Sequence, residues 1–280
     1  MFRFFKRRFL WVGKLVIAAL LLGGCLAVTL PAIAGLGAIA SSPVLTPSSL
    51  PATTCSLVGA VRTCDLWVKT GSISLPGAAS VPIWGYSADA NAPAQMPGPV
   101  LIVNKGETVT INLHNTLGEA SSLSLPGQTI VPDRTGAASN GTVSYTFTAT
   151  NPGTSLYQAG LTADGPRQVA MGLFGAIIVR AGAANSAYDN SLSGYDDETV
   201  QVFSELDPAL NTNPASFDMR KYAPKYWLIN GQSYPNTTAV PVGAGHKVLL
   251  RYVNAGSFDH SIGSLGLRSQ VIGTDGKPLN

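Results

Sequence analysis

Three cysteines and three histidines are the only thiols and imidazoles in the 280 residues, so metal or nucleophile chemistry has few places to reside. Cys55 and Cys64 lie nine positions apart with Gly59 between them. In an oxidising compartment their natural state is a disulfide closing a small loop. As thiolates they could instead hold copper or zinc, but no histidine lies nearby and Cys-x8-Cys is not a zinc spacing. His114 falls on the polar side of an alternating segment and His246 falls in a turn beside Lys247, so both read as solvated. His260, within Phe258-Asp259-His260-Ser261, is the one histidine that reads as a candidate for a metal or a functional interface. With Asp259 alone it makes no catalytic constellation, since no serine or cysteine nucleophile is identifiable as its partner. No phosphate loop, dinucleotide fingerprint or zinc-protease motif is present.

The elements that must position these residues are β-strands. Charged residues are 12% of the chain, against roughly 25% in an ordinary soluble domain. Gly (30) and Pro (19) are abundant, which fits a secreted, β-rich chain with many turns. Val109, Ile111 and Leu113 alternate with Thr108, Thr110, Asn112 and His114, the period of a half-buried strand. Val143, Tyr145 and Phe147 alternate with Ser144, Thr146 and Thr148 in the same way. Gly175–Val179 is a short apolar run of the kind found inside a sandwich. Pro97-Gly98-Pro99, Pro126-Gly127, Asn140-Gly141 and Pro152-Gly153 supply the turns. Asn140-Gly141-Thr142 and Asn236-Thr237-Thr238 are also glycosylation sequons, without meaning in a bacterial host.

The N-terminus reads as an address. Residues 1–40 carry five basic residues and no acid, while the other 240 hold 13 basic and 15 acidic residues, a net of −2. That balance leaves no basic patch for nucleic acid. An apolar stretch centred on Leu15–Leu22 follows the basic start, the layout of a secretory signal with small-x-small sites at Ala32-Ile33-Ala34 and Ala38-Ile39-Ala40. Arg7-Arg8-Phe9-Leu10-Trp11 resembles a twin-arginine export motif, with Lys6 where Ser or Thr is usual. Two alternatives stay open: a retained anchor, touching the membrane through residues 10–30, and a lipoprotein box at Leu22-Gly23-Gly24-Cys25. All three place the body outside the cytoplasm, as a periplasmic, extracellular or membrane-anchored protein. Residues 41–54 read as an extended Ser/Thr/Pro/Ala linker.

A repeat sets the domain plan. Val103, Gly106, Val109, Ile111, Leu113 and Asn115 recur as Val242, Gly245, Val248, Leu250, Tyr252 and Asn254, each shifted by 139. The alternative is that any two strands after a Gly turn look alike. As a repeat, the pattern predicts two tandem β-domains, over 55–182 and 195–280. The counterpart of Arg180 would fall roughly 40 residues beyond Asn280, so the second sandwich is expected to be incomplete. Missing C-terminal domains or a second chain would then complete it.

Met96-Pro97-Gly98-Pro99-Val100-Leu101-Ile102-Val103-Asn104-Lys105-Gly106-Glu107-Thr108-Val109 resembles the opening of the first cupredoxin domain of multicopper oxidases. Pro152–Tyr157 and Met171–Val179 resemble the end of that domain. Tyr226–Pro235, Leu249–Gly256 and Val271–Gly276 resemble the second domain. The resemblance implies an all-β fold of tandem cupredoxin-like Greek-key sandwiches, the second truncated, after a signal or anchor. It implies copper as the family cofactor and the coupling of substrate oxidation to oxygen reduction. It also implies two His-x-His pairs in the first domain, whose alternate strand positions present two imidazoles to one side. Here those positions hold Ser124 and Pro126, and Gln158 and Gly160. A type 1 site needs one Cys and two His together, and Cys55 and Cys64 are remote in sequence from His246 and His260. These residues are therefore expected to bind no copper and to carry no catalytic group of their own.

Three functions remain: the N-terminal part of an exported oxidase, a copper-free scaffold or binding protein of the same fold at the cell surface, and a tethered structural module. Whichever holds, Cys64→Ser should destabilise the domain by about 2–4 kcal/mol. An unchanged melting curve under oxidising conditions would show that the bridge does not matter.

Overall fold

The computed structural model describes residues 55–77 and 80–279. The signal, anchor and linker readings for residues 1–54 lie outside the described residues, Arg7 and Arg8 included. Among the described residues no helix is long and apolar enough to cross a membrane. The strands are β1 (Ser56–Val58), β2 (Val61–Ile73), β3 (Val81–Ser87), β4 (Leu101–Asn104), β5 (Thr108–Asn115), β6 (Leu123–Ser124), β7 (Thr142–Thr148), β8 (Gly153–Ala159), β9 (Phe174–Arg180), β10 (Asp197–Leu206), β11 (Tyr226–Ile229), β12 (Val248–Asn254), β13 (Gly273–Thr274) and β14 (Lys277–Pro278). Helix α1 (Gly165–Met171) lies between β8 and β9, and α2 (Pro208–Thr212) follows β10.

The first sheet has the order β1-β2-β5-β7, with β3 on the second half of β2; the second has the order β4-β9-β8-β6. They form a sandwich whose core includes Leu66, Val68, Val109, Ile111, Leu113 and Phe147 from one sheet and Leu101, Val103, Tyr157, Ile177 and Val179 from the other. In β5 every odd residue is buried, as the alternation predicts. The Cys55–Cys64 disulfide joins the segment before β1 to β2, and Cys64 is fully buried at the core.

A third sheet, β11-β10-β12, packs against the outside of this sandwich. Its inward residues Val200, Val202, Leu206, Leu228 and Val253 meet Val81, Ile83, Phe174, Ala176 and Ile178. Strand β9 therefore serves two cores, with Ile177 and Val179 on one face and Ala176 and Ile178 on the other. A strand covered on both faces needs a continuous apolar run, which is the Gly175–Val179 pattern. At the seam, Glu198 is flanked by Arg180 and Arg251, and Arg251 also donates to Thr154 Oγ1 (2.8 Å). Burial works against the Glu198 carboxylate, yet the bonds from the two arginines hold it below the usual carboxylate range.

The repeat recurs as geometry. β2 pairs in parallel with β5, and β10 in parallel with β12. The matched Gly106 and Gly245 both sit at positive φ, 89° and 79°, where a side chain would be strained. After Gly106, Glu107 accepts from Arg62 of β2 at 2.6 and 2.7 Å and from the Asn104 amide at 2.8 Å. After Gly245, His246 bonds Asp197 of β10 at 2.8 Å, and the same carboxylate accepts from the Gly243 amide at 3.0 Å. Gly243 and His246 are the repeat partners of Asn104 and Glu107. Each sheet thus has a side-chain bond joining its Gly turn to its first long strand, the Glu107–Arg62 ion pair in one and the His246–Asp197 hydrogen bond in the other, with the carboxylate on opposite partners. One difference appears in β12. Its outward residues Leu250 and Tyr252, partners of buried Ile111 and Leu113, are exposed, while Arg251 and Val253 are buried.

The Arg62 hydrogen bonds are the main cause holding Glu107 at about 2, against an ordinary 4.5. A depressed carboxylate stabilises the fold above its unfolded value and loses that contribution as pH falls through the folded one. The stability carried by this pair should therefore disappear between pH 4.5 and about 2. Glu107→Gln leaves Arg62 buried without a carboxylate and should cost about 3 kcal/mol at neutral pH. It should also flatten the acid limb of stability in that window. Urea unfolding across this pH range checks both; a variant with the parent's pH profile would exclude the pair as the source.

Candidate functional site

Two of the four positions expected to carry imidazoles face each other in one short ladder. Two-residue β6 pairs antiparallel with β8, setting Leu123 opposite Ala159 and Ser124 opposite Gln158. Directly opposed residues project to the same face, so Ser124 and Gln158 stand side by side there, both partly exposed. Gly160 is buried and donates its amide to Ser122 O at 2.8 Å. A Cβ there would overlap the Ser122 hydroxyl and press on the Leu123 backbone, so a larger residue at 160 needs that hydroxyl to turn aside and Leu123 to give slightly. Pro126 is exposed at the following turn.

The surroundings fix this ladder firmly. Buried Tyr145 donates to Asp133 Oδ2 (2.7 Å), and its oxygen accepts from the Leu123 amide (3.1 Å). Burial, reinforced by Asp133, pushes the Tyr145 phenol well up. Burial raises Asp133, but the Gly136 and Thr135 amides and Tyr145 bring it below its ordinary value. Ser122 Oγ donates to Asp133 O at 3.0 Å. On the other side, buried Gln168 of α1 binds Ser121 Oγ, Glu119 and Ala120 O, and Arg167 pairs with Glu119 (2.7 Å) and Asp164 (2.9 Å). Sequence reading did not find this network, because the partners of Gln168 lie 47 to 49 positions from it and the whole set forms no motif.

The donor set does not suit copper. A hydroxyl, a carboxamide, a proline ring and a glycine stand where the chemistry asks for imidazole nitrogen. Among the described residues, no group of three or more His, Cys, Asp and Glu side chains is placed to hold a metal ion. The histidines are dispersed. His114 lies on the outer face of the first sheet, bonded to Asp65 (2.9 Å) and Thr142 (2.9 Å) and stacked on Trp67 at 4.4 Å. His246 pairs with Asp197. Each of these two has a carboxylate partner, Asp65 on β2 or Asp197 on β10, that spacing along the chain could not reveal. His260 stacks on Phe203 at 5.1 Å with Nε2 3.6 Å from buried Glu205, which in turn accepts from the Ser257 and Phe258 amides. It sits on the third sheet, not beside β6. A cleft of about 580 Å³, lined by Lys105, Tyr188, Asp189 and Lys277 among others, likewise includes none of the four ligand positions.

Residues 69–184 match the multicopper oxidase family model. Among solved structures, the chain is similar to a blue copper oxidase from Nitrosomonas europaea, with 24% identity and a TM-score of 0.68 over 78% of this chain and 69% of that one. It is similar to a multicopper oxidase designated mgLAC, with 20% identity and a TM-score of 0.57 over 70% and 62%. It also resembles a multicopper oxidase from Pseudomonas thermotolerans, with 16% identity and a TM-score of 0.53 over 70% and 47%. The chain spans less than two thirds of the last two.

The cross-strand register has a direct consequence. The double variant Ser124→His/Gln158→His should place two imidazoles on one face and acquire copper(II) affinity that neither single variant has. A copper(II) titration followed by electron paramagnetic resonance reads this. Binding by the double variant no tighter than by the unsubstituted chain would show that the two positions do not face a common ion.

Proposed function

We propose that this chain is a structural, copper-free part of an exported multicopper-oxidase-like protein, a reading that starts from the match of residues 69–184 to the multicopper oxidase family model. The observation that carries the reading is the Ser124–Gln158 pair: the ladder that would aim cluster ligands is present and its side chains cannot serve as them. Copper chemistry in the whole protein, the coupling of substrate oxidation to oxygen reduction included, then belongs to residues other than these 280. Residues 1–40 act as the export signal or anchor, and 41–54 as the tether. The domains run over 55–182 and 195–280.

The third sheet supports a further part of this reading. Its outward face presents Phe203, Trp227, Ile229, Leu250 and Tyr252, with Trp227 54% and Tyr252 41% exposed. In the first repeat, the matching face of β5 is covered by a second β-layer. A comparable layer, from the rest of a longer protein or from a second chain, completes the second sandwich. No nucleic acid is a partner.

Copper content and intact mass of the protein purified from its source test the proposal together. The expected result is a mass above 29.0 kDa, with the 280-residue chain alone retaining no stoichiometric copper after dialysis against copper(II). One tightly held copper per isolated chain would overturn the reading. A source protein near the chain's own mass and free of copper would replace the oxidase part with the cell-surface scaffold.

A further inference from the structure

The chain contains two Asn-Gly pairs, Asn140-Gly141 and Asn230-Gly231. Both asparagines adopt left-handed backbone, at φ 59° and 51°, as Asn does at turns. Their side chains are held very differently. Asn230 Oδ1 accepts from the Val202 amide (2.8 Å) and its Nδ2 donates to Val200 O (2.9 Å), so both amide atoms anchor β10. Asn140 is exposed between α1's network and β7, and its side chain makes a single long contact, Nδ2 to Ser139 Oγ at 3.5 Å.

We propose that Asn140 is a site of spontaneous deamidation, an internal modification that the fold suppresses at Asn230. The Gly141 backbone nitrogen, its proton taken by solvent base, attacks Asn140 Cγ. The bond to the side-chain nitrogen breaks, ammonia leaves, and a five-membered succinimide remains. Solvent water opens that ring at either carbonyl, giving aspartate or isoaspartate. Glycine favours the attack because no Cβ shields its nitrogen. One hydrogen bond must open first, from the Gly141 amide to Ala138 O (2.9 Å).

The location gives the product a structural effect. Gly141 O accepts from the Asn115 amide (2.9 Å), and the buried Asn115 side chain holds Ala137 O and Ala138 O. Isoaspartate inserts a methylene into the main chain between residues 140 and 141, so this clamp and the first pairing of β7 cannot both keep their register. The new carboxylate also arrives two residues from Thr142, the hydroxyl bonded to His114.

Ageing of the full chain in mildly alkaline buffer, with peptide mapping by mass spectrometry that separates isoaspartate, tests this. Conversion is expected at Asn140, and roughly thirtyfold more slowly at Asn230, the factor that two net hydrogen bonds supply. In denaturant the two sites should convert alike. Asn140→Gly, which suits the positive φ, should abolish modification at the turn and prevent the slow fall in Tm that ageing causes. Asn140 intact in the folded chain while the denatured chain converts would overturn the proposal, as would equal rates at both sites in the folded chain.

Discussion

A parallel strand pair cannot be closed by a tight hairpin, so the chain must leave the first strand, cross over, and return in register. In this protein the return is fixed by one device used twice. A glycine at positive φ turns the chain onto the returning strand, and the side chain of the residue after it bonds a side chain of the first strand. In the sandwich the carboxylate is on the turn and the cation on the strand, Glu107 with Arg62. In the third sheet the roles are exchanged, with His246 on the turn and Asp197 on the strand. In both, the carboxylate also receives the backbone amide three residues before the turn's ionic residue, from Asn104 or Gly243.

Register fixed at that point determines which side chains point inward along the whole strand. In the sandwich it sends Val109, Ile111 and Leu113 into the core. In the third sheet it sends Val253 and Arg251 against the sandwich and leaves Leu250 and Tyr252 outside. The sheet holds its place on the sandwich because β9 is apolar on both faces and because two arginines enclose Glu198 at the seam. A buried carboxylate with two cationic partners is tolerable where one with none would not be.

The strands were legible wherever alternation was clean, as in β5 and β7, and the double-faced β9 was legible from its unbroken apolar run. The sequence repeat of 139 also located a matched turn. What could not be read was burial on the second copy. Val248, Leu250 and Tyr252 have the types of core residues, and type reports what a face is suited to meet, not whether anything meets it. The histidine partners were hidden for a different reason: Asp65 and His114 are 49 positions apart and become neighbours only once β2 and β5 pair. The Glu119–Arg167–Gln168 network was missed on the same ground.

The candidate site shows that backbone and chemistry can separate. The β6–β8 ladder keeps the feature a paired-imidazole site depends on, two opposed residues on a common face, held by Tyr145 and Asp133 on one side and Gln168 on the other. None of that scaffolding involves the four positions, so the side chains at 124 and 158 can differ without disturbing it. Gly160 differs, because the Ser122 hydroxyl stands where its side chain would begin. A ligand there would need the Ser122 hydroxyl to turn aside and Leu123 to give slightly, whereas at 124 and 158 a side-chain exchange suffices. The four positions therefore differ: Ser124 and Gln158 are open to a side-chain exchange, Pro126 lies exposed in the following turn, and Gly160 alone is buried in the packing.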